Sequence, residues 1–194
     1  MKAYIQRKIT YYKNLLSKNE KQYVTIIIVL ASLTVAILIC MFIIYKVRTT
    51  IPKGHIYVCD NAEEYSEFDT WIREEQTIKW VPTFLIIKDG MVAGQIKGTI
   101  NESDFSSDLG TCLLFPLNMP LPDYKITNIV GHADSLKDIV VTNDLYIIEI
   151  SWLTCPDCIE QEKLNKSILG KYTANNFYIY YMKSDRDEVI EHYN

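Results

Sequence analysis

The stretch Ser151-Trp152-Leu153-Thr154-Cys155-Pro156-Asp157-Cys158 decides the fold, and it directly follows the apolar run Leu145–Ile150. That run predicts a buried strand, and the sequence after the second cysteine, Ile159–Leu169, predicts a helix. A cysteine at the start of a helix meets unpaired N–H groups and the positive end of the helix dipole, which favour its thiolate. The pattern therefore predicts a thiol–disulfide site, with Cys155 as the attacking nucleophile and Cys158 as the resolving thiol.

Two other interpretations of the cysteine pair stay open: two buried core cysteines, or half of a zinc site. A structural zinc ion takes four ligands, so a second Cys or His pair at ligand spacing is required. The three histidines, His55, His132 and His192, occur singly along the chain. We therefore expect no metal ion and no organic cofactor.

The uncharged run Tyr23–Tyr45 predicts a transmembrane helix, because about 20 apolar residues span a lipid bilayer. A buried core helix is the alternative, although an uncharged run of this length is rarely one. Lys and Arg are more frequent before the run than after it (Lys2, Arg7, Lys8, Lys13, Lys18 and Lys21, against Lys46, Arg48 and Lys53). This excess favours a cytoplasmic N-terminus and an extracellular C-terminal domain. The sequence thus predicts a single-pass cell-membrane protein with a basic tail over 1–22 and an uncleaved anchor over 23–45.

The charge of the chain is divided unevenly. Residues 1–54 contain nine Lys or Arg and one acid, Glu20; subtracting these from the totals of 20 and 24 leaves 11 basic and 23 acidic residues in 55–194, a net charge of −12. A domain this acidic repels phosphate backbones, so nucleic acid is excluded as a partner. An exported domain suits a cysteine pair, because disulfides persist outside the cytoplasm.

Two segments with strand and helix signals flank a proline-rich linker at 113–124. Within 55–112, the pattern predicts an acidic helix over Asn61–Glu75, a hairpin that opens at Pro82 and turns at Asp89-Gly90, and a helix from Asn101 toward Cys112. Within 125–194, it predicts a strand over Lys125–Val130, a helix over Ala133–Ile139, the Cys-x-x-Cys unit and a strand over Phe177–Met182.

At two places the chain resembles the thioredoxin superfamily. The segment Trp152–Cys158 is similar to the active-site loop of that family, and Val81-Pro82-Thr83-Phe84 is similar to its loop with a cis-proline. The resemblance implies an α/β, three-layer fold in which helices flank a central mixed sheet. It also implies that the proline loop packs against the cysteine pair and helps to hold the substrate chain. On this basis four residues are assigned to substrate binding: Val81, Pro82, Trp152 and Pro156.

Glu149 lies six residues before Cys155 and matches the family's buried acid, which moves protons for the resolving cysteine. An acid in an apolar strand needs a partner or a proton, because burying its charge is costly. The alternative is a Glu149 that faces solvent on a half-exposed strand. Asp157 departs from the resemblance in another way: its negative charge beside Cys155 opposes a thiolate and favours a more reducing site.

The order of the two segments also departs from the resemblance, because the hairpin segment 55–112 precedes the Cys-x-x-Cys segment 125–194. The simplest interpretation is two thioredoxin-like units in tandem, the first without its beginning and the second without its end. Three arrangements follow: docking within one chain as a permuted fold, exchange between chains in a swapped homodimer, or a truncated product without a complete site. Docking within one chain is favoured, because each segment alone leaves an unpaired sheet edge.

The leading functional hypothesis is a membrane-anchored, extracytoplasmic thiol–disulfide oxidoreductase-like protein that acts on protein or peptide thiols and disulfides. Small anchored proteins of this kind are similar to accessory proteins that mature secreted or bacteriocin-like peptides in bacteria, so the resemblance implies such clients. The alternative is a catalytically inactive, thioredoxin-like binding module of a membrane or secretion complex. A third possibility is the reversed topology, with a cytoplasmic reductase.

Overall fold

The computed structural model describes residues 2–58, 66–140, 144–172 and 176–194. The chain divides into two compact units, Met1–Lys46 and Val47–Asn194. The predicted N-terminal apolar helix is confirmed: helix α1 (Lys2–Thr49) contains the stretch Thr25–Lys46, whose mean hydropathy is 3.1 and of which no part is buried inside the protein. These 22 residues extend for about 33 Å as a helix, which is enough for the hydrocarbon core of a bilayer.

In the described residues, the second unit contains one eight-stranded sheet with helices on both faces. Its strands are β1 (Ile56–Val58), β2 (Thr83–Lys88), β3 (Met91–Lys97), β4 (Met119–Pro120), β5 (Lys125–Asn128), β6 (Ala133–Ser135), β7 (Leu145–Ser151) and β8 (Phe177–Tyr181). Its helices are α2 (Glu67–Glu74), α3 (Glu102–Leu114), α4 (Leu136–Ile139), α5 (Pro156–Tyr172) and α6 (Arg186–His192). The strand order is β4-β3-β2-β7-β8-β1-β5-β6.

The sheet is mixed, as predicted for the α/β class. Strands β7 and β8 are parallel and are connected through α5, and β1 lies parallel to β8 on its other side. Strand β2 pairs antiparallel with β7, with Thr83 opposite Ile150 and Phe84 opposite Glu149. The segments 55–112 and 125–194 therefore share one sheet within one chain, and the end of β7 lies beside the start of β2.

Each face of the sheet is covered by its own apolar core. On one face, side chains of the sheet pack against α3, α5 and α6, which contribute Phe105, Leu109, Ile168, Leu169 and Val189. On the other face they pack against α2 and α4, which contribute Phe68, Trp71, Ile72 and Leu136. Alternate residues of β7 point to opposite faces, so Ile147 belongs to the first core and Ile148 to the second.

Local sequence explains several element ends. Asp89 and Gly90 both have positive φ, 55° and 73°, which is the requirement of the tight turn that joins β2 to β3. Ser66 begins α2 with a capping box, because its hydroxyl accepts from Asp69 N and its own N–H donates to the Asp69 carboxylate. The predicted helix over Asn61–Glu75 is thus observed from Glu67, and 61–65 lie outside the described residues.

The predicted helix over Ala133–Ile139 is wrong in its first half. Ala133–Ser135 form β6, which pairs antiparallel with β5 through Thr127, Ile126 and Lys125. Only Leu136–Ile139 form a helical turn, α4, with Ser135 as its cap. Hydrogen bonding to a neighbouring strand outweighs the helical propensity of these few residues.

Candidate functional site

The cysteine loop lies between the end of β7 at Ser151 and the start of α5 at Pro156. Cys155 comes immediately before the helix, and its carbonyl oxygen accepts the first helical hydrogen bond, from Ile159 N at 3.1 Å. Proline suits the first helical position, because its missing N–H would have no partner there. The Cys155 N–H donates back to Trp152 O at 3.1 Å, which closes the loop. The predicted positions of Cys155 and Cys158 on one end of a helix are therefore observed.

The two cysteines are free thiols with different surroundings. Cys155 is half-buried, whereas Cys158 is 4% exposed. The pKa of Cys158 is raised to about 12, mainly by burial and to a smaller extent by a hydrogen bond with Cys155. Hydrogen bonds with Ser151 and with the Trp152 backbone act in the opposite direction. Cys155 is therefore the more accessible residue of the pair.

The proline loop at the start of β2 contacts the cysteine loop directly. The Val81–Pro82 peptide is cis, and the Cys155 thiol donates to Val81 O across 3.7 Å. Pro82 O accepts from Gly98 N at 2.9 Å, and the Thr83 hydroxyl donates to Trp80 O at 2.7 Å. Both ends of the loop are thus held, and Val81 O is fixed beside the sulfur.

Glu149 is 1% exposed within β7, so the alternative of a solvent-facing Glu149 does not apply. Its Oε2 accepts a 2.5 Å hydrogen bond from Asn165 Nδ2 on α5. Burial raises the pKa of Glu149 to about 8; the Asn165 hydrogen bond lowers it, and the negative charge of Glu162 raises it. A carboxyl group with this pKa gains and loses its proton near neutral pH.

A buried chain of amides extends from Glu149 to the loop after β3. Gln161 Nε2 donates to Asn165 Oδ1 at 3.0 Å, and Ile100 N donates to Gln161 Oε1 at 2.7 Å. These bonds orient the amide of Asn165, so that its nitrogen faces Glu149. Neither amide was predicted from the sequence, although Gln161 lies three residues after Cys158 and Asn165 four residues after Gln161. This spacing places all three on one face of α5.

A small cavity of about 10 Å³ lies beside Cys158, a volume that fits about one water molecule. It is lined by Ser151, Trp152, Leu153, Cys158, Ile159, Glu162, Tyr181 and His192. Two of these residues contact each other, because His192 Nε2 lies 2.9 Å from Glu162 Oε2. Burial also raises the pKa of Tyr181, whose hydroxyl lies 2.7 Å from that of Tyr193. Cys158 thus shares this cavity with the polar side chains of Ser151, Glu162, Tyr181 and His192.

A larger cleft of about 460 Å³ adjoins the cysteine loop at Trp152. It is lined by Arg73, Glu74, Ile78, Lys79, Trp80, Val81, Trp152, Met182 and Lys183. Trp80 is 76% exposed and Trp152 is 42% exposed, so both rings present apolar surface. Of the four residues assigned to substrate binding, Val81 and Trp152 line this cleft. Pro82 is buried, and Pro156 is exposed at the start of α5.

Within the described ranges, no group of three or more His, Cys, Asp or Glu side chains is placed to hold a metal ion. Comparison of the chain with models of known families, with curated proteins and with solved structures finds no match. The functional assignment therefore rests on the chemistry and geometry of the residues described above.

Proposed function

We propose that the protein is a membrane-anchored thiol–disulfide oxidoreductase with a permuted, thioredoxin-like fold, and that it acts on secreted proteins or peptides. The observation that carries the proposal is the 3.7 Å contact between Cys155 Sγ and Val81 O. It joins a cysteine pair at a helix start to a loop with a cis-proline, which are the two features of the resemblance. The parallel β7–α5–β8 unit beside the antiparallel β2–β3 hairpin supports the fold assignment.

The proposed chemistry is exchange through a mixed disulfide. The thiolate of Cys155 attacks one sulfur of a client disulfide, the client S–S bond breaks, and the second client sulfur leaves as a thiolate that takes a proton. The thiolate of Cys158 then attacks the Cys155 sulfur and releases the first client sulfur. Two electrons have passed from the cysteine pair to the client, and the reverse sequence oxidises a client dithiol.

Glu149 is the proposed acceptor of the Cys158 proton. A thiol with a pKa of about 12 needs a base before it can attack, because the thiolate is the nucleophile. Glu149 and Ser151 lie on the same side of β7, and Ser151 forms a hydrogen bond with Cys158. With a pKa of about 8, Glu149 can both accept and return a proton at physiological pH.

The extracytoplasmic location is part of the proposal. It is supported by the six Lys or Arg before the apolar stretch against three after it. Labelling of intact cells with a membrane-impermeant maleimide tests it. An outward-facing domain predicts modification of Cys155 without lysis, whereas modification only after lysis contradicts the proposed side.

The chemistry is tested by trapping with a Cys158→Ser variant of the full chain. Without the resolving thiol, the mixed disulfide between Cys155 and the client persists and is detected as a larger species on non-reducing gels. A Cys155→Ser variant should trap nothing, and Cys112→Ser is the matched control, because Cys112 lies outside the proposed site. Absence of mixed disulfides in Cys158→Ser would contradict exchange and favour a binding module without redox chemistry.

A further inference from the structure

The end of α3 and the loop after it present a row of exposed apolar side chains, which we call the exposed row. Its members are Leu113, Leu114, Phe115 and Leu117, which are 41%, 75%, 77% and 55% exposed. No charged residue interrupts this part of the chain, since 110–122 contain no Lys, Arg, Asp or Glu. Large apolar side chains that are exposed next to one another mark an interaction surface.

The segment that carries the exposed row is fixed to the domain at both ends. Leu117 N donates to Ala93 O on β3 at 2.9 Å, and β4, which follows, pairs with the first residues of β3. The flanking apolar side chains are used by the fold, because Cys112 packs against the first core and Met119 against the second. The exposed row is therefore held outside both cores by an ordered part of the fold.

The exposed row and the cysteine loop lie toward opposite edges of the sheet. Strands β3, β7 and β8 run in one direction, since β2 is antiparallel to β3 and β7, and β8 is parallel to β7. The loop of the exposed row returns to β3 at Ala93, its third residue, whereas the cysteine loop follows the end of β7. The chain also enters the second unit toward the starts of these strands, where His55 Nδ1 lies 3.3 Å from the carbonyl oxygen of Phe177, the first residue of β8.

Membrane anchoring makes the lipid bilayer the surface nearest to the second unit. Ile51 packs against the first core, five positions after the apolar stretch ends at Lys46. Five residues reach at most about 18 Å, so an anchored chain keeps this unit close to the bilayer. A few apolar side chains bind a bilayer weakly from solution, because even a myristoyl chain gives only marginal binding. A tether removes this limit, since it raises their effective concentration at the surface.

We infer that the exposed row inserts into the interface of the bilayer that holds α1, and that this contact turns the cysteine loop toward the aqueous phase. Leu and Phe side chains on a segment without charge suit the boundary between headgroups and acyl chains. The inference rests on the membrane anchoring in the proposed function and does not depend on the exchange chemistry. It adds an orientation in which Cys155 faces soluble clients and not lipid.

The test uses the full chain with its five cysteines replaced by serine and one new cysteine for the fluorescent dye nitrobenzoxadiazole. Leu114→Cys places the dye in the exposed row, and Lys166→Cys, an exposed position on α5, is the matched control. Both proteins are reconstituted into phosphatidylcholine vesicles with or without a nitroxide on the upper part of the acyl chains, which quenches the dye at short range. Flotation of the vesicles measures anchoring separately.

We expect the nitroxide lipid to lower the fluorescence of the dye at position 114 about twofold, because a side chain at the headgroup–acyl boundary lies about 5–10 Å deep, within reach of the quencher. The dye at position 166 should lose little fluorescence. Adding Phe115→Asn/Leu117→Asn should reduce the quenching at 114 to the level of the control. Both residues are exposed, so an unchanged melting temperature should accompany this loss.

The outcomes separate the inference from the anchoring. Equal and weak quenching of the two dyes, in chains that float with the vesicles, would overturn the inference and leave the anchoring intact. A shift of the emission at 114 to shorter wavelength without nitroxide quenching, lost on dilution in lipid, would assign the exposed row to contact with a second copy of the chain and would also overturn it. Chains that do not float would contradict the anchoring itself, and the inference with it.

Discussion

The sulfur of Cys155 lies 3.7 Å from the carbonyl oxygen of Val81, although 74 residues of sequence separate them. The contact follows from the sheet, because Thr83 at the start of β2 is opposite Ile150 at the end of β7. The antiparallel pairing brings the residue before Pro82 to the loop that carries the cysteine pair. The contact places Cys155, the proposed nucleophile, beside a fixed backbone carbonyl oxygen.

The two cysteines should differ in reactivity. With iodoacetamide at neutral pH, we expect Cys155 to be modified first and Cys158 to resist, because Cys158 is 4% exposed and its pKa is raised to about 12. Peptide mapping by mass spectrometry after timed quenching measures the order. In a denaturant the difference should disappear; equal rates in the native chain would contradict the assigned roles.

Glu149 should make stability depend on pH. Its pKa is about 8 in the folded chain, against an ordinary value of 4.5, so the folded state binds the proton more tightly than the unfolded state. The resulting stabilisation is complete below about pH 4.5 and is lost as the pH rises through about 8, with a slope of at most about 1.4 kcal/mol per pH unit.

A Glu149→Gln variant should lack this dependence, because its amide does not titrate. Thermal unfolding of the full chain in detergent micelles between pH 5 and 9 measures the comparison. We expect the melting temperature of the unmodified chain to fall relative to the variant as the pH rises. Parallel curves for the two proteins would contradict a buried, proton-exchanging Glu149.

Asn165 should affect the pKa of Glu149. Its 2.5 Å hydrogen bond to Glu149 favours the ionised carboxylate and lowers the pKa, so Asn165→Leu should shift the inflection of the pH profile upward. Loss of the bond should also destabilise the fold by about 1–3 kcal/mol at high pH, where a buried charge loses its partner. Glu160→Gln, an exposed substitution on the same helix, serves as the control and should leave the inflection unchanged.

Close packing of α3 on β3 gives a prediction away from the site. A Cβ atom on Gly94 would contact the Cys112 side chain and would lie 2.8 Å from Cys112 Cβ. Gly94→Ala should therefore destabilise the protein by about 1–3 kcal/mol, measured by thermal unfolding. Gly110→Ala, where a Cβ meets nothing within 4 Å, should not destabilise. A Cys112→Ala substitution should recover part of the loss in Gly94→Ala, since it removes the sulfur.

The sequence could predict the features whose signals are local. A long run of residues without charge identified the apolar helix, and Asp89-Gly90 identified the hairpin turn. The strand before Cys155 and the helix after it identified the cysteine loop. Residues 133–135 were wrongly predicted as part of a helix. They form a strand because they pair with β5, and so short a segment carries no sequence pattern that indicates this pairing. Gln161 and Asn165 were missed for a similar reason, since only the packing of α5 on β7 makes them partners of Glu149.

Redox titration of the cysteine pair tests the central claim most directly. The full chain, with its other cysteines replaced by serine, is equilibrated in buffers of reduced and oxidised dithiothreitol or glutathione, and the Cys155–Cys158 disulfide is measured by thiol alkylation and mass. We predict a reversible two-electron transition between about −270 and −120 mV, the range of exchange-active pairs. A pair that forms no disulfide, or one that stays oxidised below about −300 mV as structural disulfides do, would contradict the account.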